Sequence, residues 1–207
     1  MLLALLAGSP AHADAGVDAE LASAGNVNEG TLHFLTTPPT RPPHHHQNRI
    51  RIEATSLETG WVQLTQCHDH LDAVPRAQIT FREGHVRSLR VREATHIESA
   101  RIEGASVQLT GVAPGARLCL DAETRALRDR GDGFYVLQNG PYLRRFLDGY
   151  YPIRVSLRVD YPAGLLSVVD VSPPTQPGLT VDEHPGSVQL EALFEGALTT
   201  LIQFRRE

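Results

Sequence analysis

The chain of 207 residues contains no lysine, and all 19 of its basic residues are arginines. Aromatic residues make up only 6%, and the formal net charge is −5. A nucleic-acid-binding domain is expected to carry a clear excess of positive charge, so this balance argues against nucleic acid as a partner. Because 41% of the residues are hydrophobic, the composition also excludes a largely disordered protein. It indicates a globular protein with a sizeable core.

One interpretation of the arginines is a site for an anionic ligand, because a guanidinium binds phosphate or carboxylate through two parallel hydrogen bonds. They are spread along the whole chain, however, and many occupy the polar positions of alternating runs, as do Arg49, Arg51, Arg90, Arg92, Arg154 and Arg158. We interpret this distribution as solvated strand faces in a chain of biased composition.

Enzyme signatures are also missing. The sequence has no G-x-S-x-G, no P-loop, no H-E-x-x-H and no dinucleotide-binding fingerprint, and no motif in it identifies a family. The acidic residues are scattered, so a carboxylate pair assembled by the fold stays open as an alternative. We therefore favour a non-enzymatic function.

Long hydrophobic runs are few. Residues 1–13 read MLLALLAGSPAHA, an apolar run followed by a Gly-Ser-Pro break and an Ala-His-Ala ending. This pattern is typical of a secretory signal peptide, although no basic residue precedes the apolar run, and it predicts a mature chain that starts at Asp14. Because a transmembrane helix needs about 20 apolar residues, we expect no membrane span and a periplasmic or secreted location.

Only two cysteines are present, Cys67 and Cys119. In an exported protein two cysteines most simply form a disulfide, and closing a loop of this length would stabilise the fold by about 3–5 kcal/mol in the chain-entropy model. Each cysteine lies opposite apolar neighbours in an alternating run, so both thiols should point away from the apolar face of their strands. A redox or metal-binding thiol is the alternative, without a C-x-x-C motif to favour it.

From Asn48 onward, apolar and polar residues alternate with a period of two, and turn signals recur about every eight to twelve residues. This pattern predicts a single all-β domain over residues 48–207, an antiparallel β-sandwich or partly open barrel. Residues 14–47 are rich first in Ala and Gly and then in Pro and His, which predicts a flexible leader. Two short helices are expected, over residues 121–128 and 141–147, and the second should lie across one end of the sandwich.

Histidine is unusually frequent, with ten residues in the chain. His68 and His70 lie two apart in a predicted strand, so they should face the same side and could bind one ion together. His44, His45 and His46 precede the strand that should pair with theirs, and this run could supply a third ligand. Imidazole suits transition metals, so the candidate cofactor is copper or zinc. The alternative is a set of solvated histidines without a metal.

Aromatic residues concentrate in residues 134–151, which hold six of them in a chain that has 6 Phe, 5 Tyr and 1 Trp. Tyrosine and arginine are favoured at binding hot spots, so this segment is a candidate surface for a ligand or a protein partner. Its candidate residues are Tyr142, Arg144, Arg145, Phe146, Tyr150 and Tyr151. A structural plug over an open end of the sandwich is the alternative.

Three functional hypotheses follow from these observations. The leading one is an exported binding or accessory module, with a copper or zinc ion held by the histidines. The second is an envelope structural or interaction protein that uses the 134–151 surface without a metal. The third is a hydrolase with a carboxylate site that the sequence does not reveal. The partner would be an unidentified protein or small ligand of the cell envelope.

Overall fold

The computed structural model describes residues 28–146 and 149–207, and this part of the chain forms fifteen strands and one short helix. The helix is α1 (Ser56–Thr59). The strands are β1 (His33–Phe34), β2 (His44–Arg51), β3 (Trp61–Leu71), β4 (Val74–Thr80), β5 (Val86–Glu103), β6 (Ser106–Arg125), β7 (Leu127–Gly131), β8 (Phe134–Tyr142), β9 (Arg145–Phe146), β10 (Gly149–Tyr150), β11 (Ile153–Asp160), β12 (Leu166–Ser172), β13 (Leu179–His184), β14 (Ser187–Glu195) and β15 (Leu198–Arg206).

The strands form one large sheet, one small sheet and a two-stranded hairpin. The large sheet has nine strands in the order β1-β14-β11-β2-β3-β6-β4, and β13 and β5 also pair with β14 and β6. The small sheet has the order β12-β15-β8-β7, and β9 pairs with β10. The pairing of β2 with β11 is parallel, and the other described pairs are antiparallel. The predicted all-β, sandwich-like fold with mostly antiparallel pairing is confirmed.

The main core lies between the two sheets. Val155 and Leu157 of β11 belong to the same buried cluster as Leu137 of β8 and Phe204 of β15. These residues occupy alternate positions of their strands, as expected where one face of each sheet packs against the other. A second buried cluster is centred on β6 and includes Val107, Leu109, Val112, Ala116, Leu118 and Leu120.

Both predicted helices are wrong. Residues 121–125 belong to β6, where Asp121 pairs with Thr65 of β3, and β7 begins at Leu127. Tyr142 ends β8 and pairs with Leu198 of β15, so no helix lies across the end of the sandwich within the described residues. A two-turn helix is marginal on its own, and pairing with distant strands outweighs its local signals.

The large sheet includes residues before the expected domain boundary at Asn48, within the segment predicted to be a flexible leader, and β1 (His33–Phe34) already pairs with β14. His44 is the first residue of β2, and the parallel register places it opposite Ile153 of β11. Pairing with strands on both sides extends the β structure into a segment whose composition suggested a spacer. The predicted signal peptide and the leader as far as residue 27 lie outside the described residues. Within the described residues, no helix is long and apolar enough to cross a membrane.

The predicted disulfide is confirmed. Cys67 of β3 and Cys119 of β6 lie directly opposite each other in the ladder, with 4.1 Å between their Cα atoms, and are bonded. Cys67 lies on the face opposite Val62 and Leu64, as predicted from the alternation. The disulfide therefore joins two neighbouring central strands of the large sheet.

Candidate functional site

Three histidines meet where β2 pairs with β3. His46 lies directly opposite His68 in the antiparallel register. Because side chains alternate along a strand, His44 lies on the same face of β2 as His46, two residues away. Asn48 and Ile50 follow on the same face of β2, and both are buried. The strand alternation thus places imidazoles, then an amide, then an apolar side chain along one inward face.

The three imidazoles are in mutual contact. His44 Nε2 and His68 Nδ1 share a hydrogen bond of 2.9 Å. The ring centroids are 5.1 Å apart for His44 and His68, 4.4 Å for His46 and His68, and 6.3 Å for His44 and His46. His68 is only 2% exposed, and its Nε2 is buried without a hydrogen-bond partner. We call His44, His46 and His68 the histidine cluster.

Burial keeps the cluster uncharged at neutral pH. It lowers the pKa of His44 to about 4 and that of His46 to about 3, and it holds the pKa of His68 well below its usual value. The Asp72 carboxylate opposes the shift at His44, and the Arg144 guanidinium adds to it. Neutral imidazole is the form that binds a metal ion, so no proton would have to leave before coordination near pH 7.

His45 and His70 lie outside the cluster. His45 takes the opposite face of β2 and its Nε2 hydrogen-bonds with Ser156 Oγ at 2.7 Å. His70 is exposed and has a φ of 55°, and the β3–β6 register shifts between Asp69 and Leu71. This bulge interrupts the alternation, so the expectation that His68 and His70 face the same side fails.

The cluster does not have the arrangement of a formed metal site. Within residues 28–146 and 149–207, no group of three or more His, Cys, Asp or Glu side chains does. His44 Nε2 and His68 Nδ1 are hydrogen-bonded to each other, and His46 Nε2 lies 3.0 Å from Asn48 Oδ1 and 2.5 Å from Gln66 Nε2. A metal ion would have to replace these internal hydrogen bonds.

The predicted aromatic surface is divided between the core and the rim. Tyr142 is only 3% exposed, and its hydroxyl accepts a 3.0 Å hydrogen bond from Asn48 Nδ2. Its ring packs edge-on against His46, so Tyr142 supports the histidine cluster and does not offer an exposed contact. Burial also raises the pKa of its hydroxyl, which therefore stays protonated.

The rest of the predicted surface lies beside the cluster. Arg144 donates two hydrogen bonds to the Asp72 carboxylate, from Nε at 2.9 Å and from Nη2 at 2.5 Å. Its guanidinium also lies 5.4 Å from the ring centroids of both Phe146 and Tyr151. Arg145 lies 5.5 Å from the Tyr150 ring. This group borders His44 through Asp72, and Phe146 is 37% exposed.

A polar cavity that the sequence did not predict lies next to the histidine cluster. Four of its lining residues carry amide or hydroxyl groups inside the protein, namely Asn48, Gln66, Asn139 and Tyr142. Gln66 Oε1 and Asn139 Nδ2 are buried without a hydrogen-bond partner. The sequence does indicate that Asn48 and Gln66 are buried, because both stand at positions of an alternating strand that apolar residues otherwise occupy.

Acid–base catalysis by paired carboxylates receives no support from the described residues. No Asp or Glu in this part of the chain is buried. The carboxylates nearest the cluster are bound to arginines, Asp69 to Arg117 and Asp72 to Arg144.

Comparison with known proteins does not identify the chain. No protein-family model matches it, and no curated protein does. Among solved structures it is similar to a two-domain M1 zinc metallopeptidase, a mutant bound to L-tryptophan, with a TM-score of 0.41 and 16% sequence identity over 86% of this chain. The chain covers 43% of that protein's chain. A similarity of this extent does not bear on function.

Proposed function

We propose that the protein is an exported, non-enzymatic binding module that holds one transition-metal ion, copper or zinc, at His44, His46 and His68. The observation that carries the proposal is the contact of three neutral, largely buried imidazoles from two paired strands.

The step from the hydrogen-bonded cluster to a metal site is small. Zinc binds imidazole nitrogens at about 2.0–2.1 Å, which places two ligand nitrogens of a tetrahedral site about 3.3 Å apart. His44 Nε2 and His68 Nδ1 already lie 2.9 Å apart. An ion between them would take the place of this hydrogen bond, with the bridging proton moving to the other nitrogen of the donor ring. Rotation of the His46 ring away from Asn48 and Gln66 would add a third nitrogen. Asp72, next to His44, supplies a negative charge near the ion.

The proposed location is the periplasm or the exterior of the cell. The Cys67–Cys119 disulfide supports it, because structural disulfides persist in oxidising compartments. Copper and zinc are also the ions that three neutral imidazoles suit best, whereas magnesium and calcium prefer oxygen ligands.

The proposal is tested by titrating tag-free, chelator-treated protein with Cu(II) and Zn(II) in a calorimeter at pH 7.5. We expect one ion per chain with a dissociation constant in the micromolar range or tighter. Single His44→Ala and His68→Ala variants should each weaken binding by at least about 100-fold, since each removes a direct ligand.

The chain supplies matched controls on the same two strands. His45→Ala and His70→Ala remove histidines that neighbour the cluster in sequence but lie outside it, so their affinity should equal that of the unaltered protein. The proposal is wrong if the unaltered protein binds neither ion, or if the control variants lose affinity as much as the cluster variants. Circular dichroism of each variant confirms that the fold is retained.

A further inference from the structure

The polar cavity beside the histidine cluster has a volume of about 260 Å³. Its walls come from β2, β3, β4, β6, β7 and β8 and from the turn between β4 and β5. The size is close to the lower end of the range of about 300–1,000 Å³ that is typical of small-molecule sites. His46 is the one histidine of the cluster that also lines the cavity.

Two amide side chains of the cavity lining each have an unsatisfied hydrogen-bonding atom, one an acceptor and the other a donor. Gln66 is only 6% exposed, and its Oε1 lacks a donor. Asn139 Nδ2 is buried and lacks an acceptor. An unsatisfied buried polar group costs about 1–3 kcal/mol. A molecule whose groups both donate and accept, as hydroxyl groups do, would satisfy both amides once these side chains turn towards the cavity.

The lining of the cavity also includes arginines and no acidic residue. The arginines are Arg82, Arg125 and Arg128, and all three are exposed residues. The nine ion pairs of the described residues all join arginine to a carboxylate, and none involves these three arginines. Guanidinium groups bind carboxylates in a bidentate manner, so the lining favours an anion and disfavours a cation.

We propose that this cavity binds a small organic anion that carries hydroxyl groups, of the class of hydroxycarboxylates and sugar acids. Its carboxylate contacts the guanidinium groups of Arg125 and Arg128, and its hydroxyl groups hydrogen-bond with the side-chain amides of Gln66 and Asn139. The proposal does not rest on metal binding, because neither the amides nor the three arginines belong to the histidine cluster. The cavity and the cluster touch where Gln66 Nε2 lies 2.5 Å from His46 Nε2.

The test uses calorimetry on the full-length protein in excess chelator, so that a metal–ligand complex cannot account for binding. The probes are tartrate, citrate, gluconate and glucuronate, with uncharged glucose and inorganic phosphate as comparison compounds. We expect saturable binding of at least one of the four acids at one molecule per chain. Glucose and phosphate should each bind at least about tenfold more weakly, since each lacks one of the two recognised features.

Three variants locate the binding. Gln66→Leu removes the unsatisfied interior amide, and the double variant Arg125→Gln/Arg128→Gln removes two charges from exposed positions where refolding is not at risk. Each should weaken binding of the best acid by at least about tenfold. Arg101→Gln, on the exposed far half of β5, is the matched control and should leave the affinity unchanged.

The proposal is overturned if none of the four acids binds more tightly than about 10 mM, a free energy too small for a specific site. It is also overturned if phosphate binds as tightly as the best acid, because charge alone would then explain the affinity. Equal losses in the Arg101→Gln control would have the same consequence. A His68→Ala variant that no longer binds the metal but still binds the acid would show that acid binding does not depend on metal binding.

Discussion

At the scale of single residues, the histidine cluster makes stability depend on pH. Burial lowers the folded-state pKa of His44 to about 4 and that of His46 to about 3, against about 6.5 in the unfolded chain. Below pH 6.5 the unfolded chain therefore binds more protons, and protonation favours unfolding. In metal-free protein, stability should be greatest above pH 6.5 and should fall as the pH is lowered towards 3.

The expected loss between pH 7.5 and pH 4.5 is at least about 2 kcal/mol, measured from urea unfolding in the presence of chelator. Replacing His46 by Gln keeps a donor for Asn48 and removes one titrating ring, so the loss should be smaller in that variant. His70→Gln changes an exposed ring outside the cluster and should leave the pH dependence as it is. An identical slope in the unaltered protein and in His46→Gln would contradict this interpretation.

The same residues show what the sequence can and cannot reveal about a site. Histidines near the β2–β3 pair were predictable as candidates from their frequency and from the expected hairpin. Which of them meet was predictable only in part: His44 and His46 share the phase of Ile50, and His68 shares that of Leu64. His70 has that phase too, but the bulge at that residue turns it outward. A bulge depends on pairing with β6, which the local sequence does not specify.

At the scale of secondary-structure elements, the disulfide joins strands that are far apart in the chain. Cys67 and Cys119 are separated by 52 residues, and they connect β3 with β6. The chain-entropy model gives about 3–5 kcal/mol for a loop of this length, and disulfides in proteins typically contribute about 2–4 kcal/mol. The double variant Cys67→Ala/Cys119→Ala should therefore unfold at a correspondingly lower urea concentration.

Reduction of the unaltered protein is the control for the disulfide prediction, because reduction breaks the S–S bond and keeps both cysteine side chains in place. The reduced protein and the double variant should lose similar stability. If the double variant is as stable as the oxidised protein, the disulfide adds nothing to the free energy of unfolding beyond the hydrogen-bonded pairing of β3 with β6.

Strands were predictable where one face is buried, and helices were not predictable at all. The alternation over residues 153–160 marks β11 correctly, since every second residue there is buried. Residues 121–125 carry a weak helical pattern, yet they pair with β3 on one side and with β5 on the other. Such nonlocal pairing decides the structure of a short ambiguous segment, and it cannot be read from the segment itself.

At the scale of the whole molecule, one strand connects two cores. Leu157 lies in the cluster between the two sheets, and Leu109 lies in the cluster on β6. The 20-residue strand β6 pairs with β5 along almost its whole length on one edge. On the other edge it pairs with β4 over residues 106–112 and with β3 over residues 116–125. Because β6 is continuous and is tied to β3 by the disulfide, we expect both cores to unfold in one cooperative transition.

The same substitution in each core tests this coupling. Leu157→Ala and Leu109→Ala both truncate a leucine that is at most 2% exposed, and each should cost about 2–5 kcal/mol. Fluorescence of Trp61, the single tryptophan, follows β3, and circular dichroism follows all the strands. With one cooperative unit, the two signals give the same midpoint in both variants. If Leu109→Ala lowers the circular dichroism midpoint while the Trp61 signal keeps its own, β6 does not couple the cores, because the second cluster then unfolds while the β2–β3 pair that holds the histidine cluster stays folded.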